Sequence, residues 1–459
     1  MKKNIDMLSG SLIDKILLFA LPLAATAILQ QLFNVADVAV VGQFVGKEAM
    51  AAVGSNSSII NLMVNLFTGI ALGSNVAIAQ AIGRGDRAVV RRVVHTSIFF
   101  AVLAGVCMAG LGEWLAPHIL KATSVPSEVL GMATSYLRIY MAGMPVILLY
   151  NFEAAIFRAK GDTRTPLIAL VISGVINVGL NLFFVLVLNM DVSGVALATV
   201  ISNLISAVIL FLRLHRAKDD ISVRFSEFRI HGRILSTILR IGVPAGVQSA
   251  MFSLANIIIQ SAINSLGATV MAGSSAAFNL EVLSYFVMNA FGQACTTFVG
   301  QNYGAGNYKR CKEIFLKCLL LNYIFTAAMC ALLLVFGHFL LGLFNPDPEV
   351  IKIGYERLVL LFIAYIMHTF QETGSGYLRG FGKSLFPAVN AMVCICGIRI
   401  VYIFTVFHIS PTFRTIMLVY PISLWAAGFA ILIIILILRP SKRYAHNETA
   451  AAPSSCSSR

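Results

Sequence analysis

The sequence predicts an all-α membrane protein in which twelve transmembrane helices form two pseudo-symmetric six-helix bundles. Three observations predict it. The composition is far more apolar than that of a soluble domain, the apolar runs are long enough to cross a bilayer, and the second half repeats the turn signatures of the first about 221 residues later.

Of the 459 residues 58% are hydrophobic and 12% charged, against about 25% charged in soluble domains. Mean hydropathy is +0.85. No small-residue cleavage site follows Met1-Lys2-Lys3-Asn4, so the first helix is expected to insert and remain. The eight cysteines (Cys107, Cys295, Cys311, Cys318, Cys330, Cys394, Cys396 and Cys456) show no zinc spacing. Cys394 and Cys396 are two apart and point to different sides of a helix. They read as small apolar core residues.

With about 20 residues needed per crossing, the first half divides into helices over 14–42, 51–81, 93–116, 130–157, 165–188 and 192–212. The second half divides into 235–262, 272–301, 314–343, 350–377, 386–409 and 413–438. The domains expected are a bundle over 1–213, a linker over 214–234, a bundle over 235–438 and a tail over 439–459. The linker is polar, with Lys218-Asp219-Asp220, and the Ala/Ser-rich tail is expected to be disordered.

Net charge is +14. On a soluble protein that would suggest nucleic acid, but the charges are sorted by side. All but seven of the 34 Lys and Arg residues fall on one set of alternate loops, the termini and the helix ends beside them. The exceptions are Lys47, Lys121, Arg138, Lys352, Arg357, Arg399 and Arg414. Positive loops stay inside, so both termini are expected in the cytoplasm.

The repeat is read from loops. Gln80-Ala81-Ile82-Gly83-Arg84-Gly85-Asp86 matches Gln301-Asn302-Tyr303-Gly304-Ala305-Gly306-Asn307, and Arg158, Gly161 and Pro166 match Arg379, Gly382 and Pro387. Pro22 matches Pro244. Neither Gly-x-Gly continues into a Walker motif, so both read as turns that close a helix. With no ATPase motif, energy would come from a gradient. Six helices per copy make the repeats parallel, and two such bundles enclose a cavity that rocking can open to either side.

Charges inside spans are costly and mark candidate sites. Asp37 has no basic residue within a turn or two and lies within roughly 10 Å of the outer end of helix 1. Asn177 and Asn181 on helix 5 and Thr199 on helix 6 reach the same depth, and Asn34 precedes Asp37 by one turn. One carboxylate, amide oxygens and a hydroxyl suit Na⁺, and the same carboxylate could take a proton instead. Interhelical hydrogen bonding is the plainer alternative for the asparagines and Thr199. At the 221 offset Asp37, Asn177, Asn181 and Thr199 become Ile258, Ile398, Tyr402 and Tyr420, so the site is expected in the first bundle alone. Glu281 on helix 8 suits a cationic substrate or a bond to Asn279 or a neighbouring helix. Glu153 and Glu372 precede Arg158 and Arg379 by about one to two turns and read as interfacial pairs. His368 and Glu372 are candidates for a proton relay. Phe33, Phe278, Tyr285, Phe286 and Met288 are candidates to line an apolar cavity.

Ala20-Leu21-Pro22, Leu32-Phe33-Asn34-Val35-Ala36-Asp37, the Gln80–Asp86 turn, Phe157-Arg158-Ala159-Lys160-Gly161-Asp162-Thr163-Arg164-Thr165-Pro166, Gly300–Gly306 and Leu378-Arg379-Gly380-Phe381-Gly382-Lys383 together resemble the multidrug and toxic compound extrusion (MATE) family over about residues 10–440. The resemblance implies a V-shaped architecture and a secondary active exporter of organic, often cationic, compounds, driven by inward Na⁺ or H⁺ as an antiporter in the plasma membrane. It implies no cofactor beyond the coupling ion, no metal beyond possible Na⁺ at Asp37, and no nucleic-acid partner, and a monomer is expected. It also implies that Asp37 occupies the place of the aspartate central to bacterial members, with Asn177, Asn181 and Thr199 assisting. Some members carry a second carboxylate where Asn181 stands. NorM-type members use an acid in helix 7, which here has only Gln248, Asn256 and Gln260. A lipid-linked oligosaccharide flippase of the same superfamily is the alternative, disfavoured by the few basic residues inside spans (Arg138, Arg357 and Arg399). A membrane-embedded enzyme would need a catalytic motif, such as His-Glu-x-x-His or Gly-x-Ser-x-Gly, that the sequence lacks.

Overall fold

The computed structural model describes residues 5–123, 125–224 and 227–441. Residues 442–459, most of the expected tail, lie outside the described residues. The spans are α1 (Ile13–Val45), α2 (Lys47–Gly83), α3 (Arg87–Ala122), α5 (Arg164–Val187), α6 (Val192–His215), α7 (Gly232–Asn264), α8 (Ala268–Gly304), α9 (Tyr308–Val335), α11 (Leu385–Phe407) and α12 (Phe413–Leu438). Between α3 and α5 runs α4, in two arms, Ser127–Ala142 and Met144–Ala159, bent by 48°. Between α9 and α11 runs α10, Pro348–Gly380. Among the described residues ten helices are long and apolar enough to cross a bilayer, or eleven with the bent α4 counted as one span, and α10 completes the predicted twelve helices in order. α10 is the least apolar of them, because Glu349, Lys352, Glu356, Arg357, Glu372 and Arg379 all lie on it.

Two predicted helices are interrupted for local reasons. The break in α4 falls at Gly143, where a Cβ would meet Val200 Cγ2 at 2.4 Å. Pro145, just inside the second arm, lacks the N–H that would tie it to the first. The span predicted over 314–343 ends at Val335 and resumes as a short helix, Gly337–Phe344. Other helices outrun their apolar cores because their ends are capped. Asp86 accepts from Val89 N (3.0 Å) at the start of α3, and such a cap is worth about 1 kcal/mol.

The repeated turns share one construction. Gly85, Gly161, Gly306 and Gly382 all have positive φ (71°, 92°, 75° and 76°), the conformation that ends a helix and favours glycine. Asp162 then starts α5 by accepting from Arg164 N (3.1 Å), Thr165 N (2.9 Å) and Thr165 Oγ1 (2.6 Å). The first glycine of each Gly-x-Gly has a second duty beyond the turn. A Cβ on Gly83 would meet Gln301 O at 1.9 Å, and one on Gly304 would meet Gln80 O at 2.1 Å. The two repeated motifs pack reciprocally, backbone on backbone.

Packing divides the chain into two compact units whose boundaries are not those of the repeat. One holds Leu21–Ile78 and Asp86–Ser253, and the other holds Asp6–Ala20, Ala79–Gly85 and the chain from Leu254 onward. In the first unit α2 crosses the early part of α7. A Cβ on Gly69 would meet Gly246 N at 2.2 Å, and one on Gly242 would meet Ile70 Cα at 2.6 Å. Gly69 and Gly73 face Gly242 and Gly246, so two small-xxx-small faces meet. In the second unit the start of α1 packs on α8, with Phe19 edge-on to Phe298 (5.7 Å) and Asn302 Nδ2 donating to Met7 O (3.0 Å).

Two π-helical turns bear on the site. Val41–Val45 closes α1 and Phe183–Val187 closes α5, and the two turns touch. They begin four residues after Asp37 and two after Asn181. π turns are uncommon and recur at functional sites.

Candidate ion site in the first unit

Asp37, Asn177, Asn181 and Thr199 come together as the depth argument expects. Asp37 is 8% exposed and Asn181 fully buried. Asn181 Nδ2 donates to Asp37 Oδ1 at 2.5 Å, and Thr199 Oγ1 stands 3.3 Å from Asp37 Oδ2. Thr199 Oγ1 is also 3.0 Å from Val195 O, so its single proton is shared between the Asp37 carboxyl group and a backbone carbonyl. Asn181 Nδ2 reaches Asn177 Oδ1 (3.3 Å), and Asn177 Nδ2 reaches Ser202 Oγ (3.4 Å). The chain Asp37–Asn181–Asn177–Ser202 thus links α1, α5 and α6.

Asn181 Oδ1 is buried without a hydrogen-bond partner. A buried amide oxygen left without a partner costs free energy, and this one belongs to a side chain that touches the Asp37 carboxylate. Turning the amide over would present that oxygen in place of the N–H. The donor set, a carboxylate, two amide oxygens and a hydroxyl, is all hard oxygen and suits an alkali cation.

Asn34 does not join the cluster. It is exposed and shares no hydrogen bond with Asp37 among the described residues, because the neighbours that reach Asp37 come from α5 and α6. Tyr136 and Tyr140 on α4 do lie within electrostatic reach of Asp37, and their rings stack at 6.4 Å. Sequence reasoning passed over both. Two tyrosines four apart on a span, at the depth of Asp37, were the available signal.

The other candidates are placed differently. Glu281 is held by Arg357 in a bidentate pair, Nε to Oε2 at 2.9 Å and Nη2 to Oε1 at 2.7 Å, and Arg357 Nη1 also donates to Ser274 (2.6 Å). Of the alternatives for Glu281, the bond to a neighbouring helix is the one present. Its partner is 76 residues away on α10 and invisible to a search of adjacent sequence. Phe278 lies under the same guanidinium (5.6 Å). Met288 is fully buried. Phe33, in the first unit, packs on Gly174, where a Cβ would meet its ring at 1.9 Å. Tyr285 stacks on His368 (6.0 Å) and touches Phe286 (6.3 Å). His368 also meets Tyr365 edge-on (5.7 Å). Glu372 accepts from Asn289 (3.4 Å) and Arg379 (3.5 Å), so it pairs with the arginine as expected. Glu153 does not pair with Arg158. Both its oxygens are buried without a partner, because the arginine is five residues on and off the face Glu153 occupies.

The chain as a whole is similar to known proteins. The MatE family profile matches residues 22–183 and again 244–405. The chain is 31% identical over 405 residues to the probable multidrug resistance protein YoeA of Bacillus subtilis, covering 85% of this chain and 86% of that one. It is 27% identical over 385 residues to the probable multidrug resistance protein NorM of Thermotoga maritima, covering 83% and 82%. Among solved structures, an outward-facing multidrug resistance MATE family transporter of the MOP superfamily superposes with a TM-score of 0.89 at 21% identity, over 96% of this chain and 99% of that one. These relatives are transporters, not enzymes.

The two matched segments begin and end 222 residues apart, one more than the loop motifs suggest. At that spacing Asn177 falls on Arg399 rather than Ile398, and Asn34 on Asn256. Arg399 is 1% exposed. It donates to Asn256 Oδ1 (3.0 Å) and Ser423 Oγ (3.1 Å) and lies over the Tyr420 ring at 4.6 Å. The second copy therefore does not replace the polar centre with apolar residues alone: it buries a guanidinium at the matching position. A chain that carries this doubled signature and twelve spans, at this level of identity to its relatives, belongs to the multidrug and toxic compound extrusion (MATE) family of multi-pass membrane transporters.

Proposed function

We propose that this protein exports organic, often cationic, compounds from the cell in exchange for inward Na⁺ or H⁺, and that Asp37 is where the coupling ion binds. The observation that carries the reading is the buried Asp37 carboxylate, held by Asn181 and Thr199 beside the partnerless Asn181 Oδ1. As arranged, an amide N–H and a hydroxyl stabilise the carboxylate. A proton on Asp37 would turn it from acceptor to donor and break one of those bonds. Na⁺ would instead draw Asn181 Oδ1, Asn177 Oδ1 and Thr199 Oγ1 toward it. Either event changes how α1 is tied to α5 and α6, close to the touching π turns. Pro22 lies inside α1, and Thr26 Oγ1 donates to its carbonyl (2.8 Å). That proline removes a rung of the helix and gives α1 a place to bend. Coupling then follows from alternating access, with ion binding favouring the state that releases substrate outward.

The multidrug names of the relatives support the substrate class. The excess of Lys and Arg on one set of loops supports cytoplasmic termini in a bacterial inner membrane. Dye efflux from vesicles tests the reading. Asp37→Asn is expected to reduce coupled efflux to the level of vesicles lacking the protein, and near wild-type export would overturn the assignment. Efflux at fixed pH with and without a Na⁺ gradient identifies the ion.

A further inference from the structure

Among the described residues one buried acid has no hydrogen-bond partner. Glu153 lies on the second arm of α4, six residues before its end at Ala159, about 9 Å along the helix axis. Asp37 lies toward the opposite end of the same unit. Glu153 is fully buried, and neither carboxylate oxygen has a hydrogen-bond partner. Tyr150, one turn earlier on the same face, is 2% exposed, and its hydroxyl has no partner either. The surroundings are tight. Phe152 packs on Phe100 of α3 (5.8 Å), and Asn75 of α2 donates to Ala155 O (3.1 Å). At the 221 offset the second repeat has Gly374, where a Cβ would meet Ile431 Cγ2 at 2.6 Å. The acid therefore has no counterpart there.

Several of the charged groups on the packed helices pair elsewhere. On α3, Arg87 pairs with Asp220 and Arg91 with Glu227, while His95 is bonded to Arg91 O and Arg224 N. Arg92 lies on the same end of α3, and Glu113, His118 and Lys121 at the far end. On α6, His215 is bonded to Val223 O and Arg213 precedes it by two residues. Arg138, on the first arm of α4, pairs with Glu113, and Glu128 begins that arm. Arg164 begins α5, Lys47 and Glu48 begin α2 at the end away from Glu153, and Arg158 shares the arm. Among the described residues neither carboxylate oxygen of Glu153 is hydrogen-bonded to a charged side chain.

An ionised carboxylate with no counter-charge and no donor is not tolerated in an apolar site, and such a group takes a proton instead. Among the described residues no group of three or more His, Cys, Asp or Glu side chains gathers there to hold a metal ion. We infer that Glu153 is a second proton-binding site of this transporter, separate from Asp37: it is a neutral carboxylic acid in the conformation described, and it releases that proton as the α3–α4–α6 packing opens. The balance is one O–H bond made on closing and broken on opening, with the proton passing to water.

The test reads protonation rather than transport, so it stands apart from the export reading. Infrared spectra of the full-length protein in nanodiscs should show the C=O stretch of a protonated carboxylic acid. The band should be lost in Glu153→Gln, kept in Asp37→Asn, and should fall in the wild type as pH is raised. A spectrum unchanged by Glu153→Gln, or a Glu153 band constant across the whole pH range, would overturn the proposal. Should Glu153→Gln fail to fold, the wild type suffices. Dicyclohexylcarbodiimide, which modifies protonated acids in apolar sites, should label Glu153 by peptide mass spectrometry in acid and several-fold less in alkali. Labelling absent in acid, or independent of pH, would overturn it equally.

Discussion

Glu281 and Arg357 bury an ion pair in the second unit at 7% and 2% side-chain exposure. Removing one partner of such a pair strands the other and costs about 3–5 kcal/mol, while replacing both with apolar residues of similar size is close to neutral. Glu281→Gln or Arg357→Met alone is therefore expected to lower the thermal unfolding midpoint in detergent, and Glu281→Leu with Arg357→Met to recover most of the loss. If the double variant is no better than the single ones, the pair has a role beyond mutual neutralisation. The same contrast separates what could be read at residue level. Asp37 stood out because it was a lone charge in an apolar run. Glu281 stood out for the same reason, yet its meaning changed once Arg357 appeared across α10, since pairing is a property of space and not of adjacency. Glu153 was read as half of a pair by its distance to Arg158 in sequence, and helix geometry turned the two apart.

At the scale of elements, the turns were legible and the crossings were not. A positive φ at Gly85, Gly161, Gly306 and Gly382 follows from local chemistry, and so does the Asp162 cap on α5. The close approach of α2 to α7 depends on two Gly-x-x-x-Gly faces that lie far apart in sequence and signal nothing until they meet. Gly69→Ala places a methyl 2.2 Å from Gly246 N, whereas Gly110 has open space around its Cβ position. Gly69→Ala is expected to destabilise by about 1–3 kcal/mol, the usual cost of overpacking. Gly110→Ala should be neutral or slightly stabilising, since alanine is the better helix former. Thermal unfolding of the two variants side by side checks this. Equal behaviour would mean that the α2–α7 crossing does not constrain the fold. The break in α4 has the same lesson, because Gly143 and Pro145 permit a bend while the Val200 contact selects it.

At the scale of the whole molecule, the basic excess on one set of loops predicts that both ends of the chain share the cytoplasm. A green fluorescent protein fused after Arg459 should fluoresce, and an alkaline phosphatase fused there should be inactive; the opposite pattern would invert the topology. The sequence by itself determined the class of fold, the number and order of the spans and the doubling of the motif, because hydropathy over about 20 residues and turn chemistry are local properties. It also marked Asp37 and its neighbours through depth along helices of known rise. Only the tertiary structure decided which segments pack together. The early parts of α1 and α7 each join the unit built mainly from the other repeat, since helix contacts depend on which small or aromatic faces meet across space. It also decided the chemistry of the two halves: a carboxyl group tied to an amide and a hydroxyl in the first, a guanidinium at the matching position in the second, and an acid at Glu153 with no hydrogen-bond partner. Each of these depends on which buried groups find a partner, and that is settled only when the helices are in place.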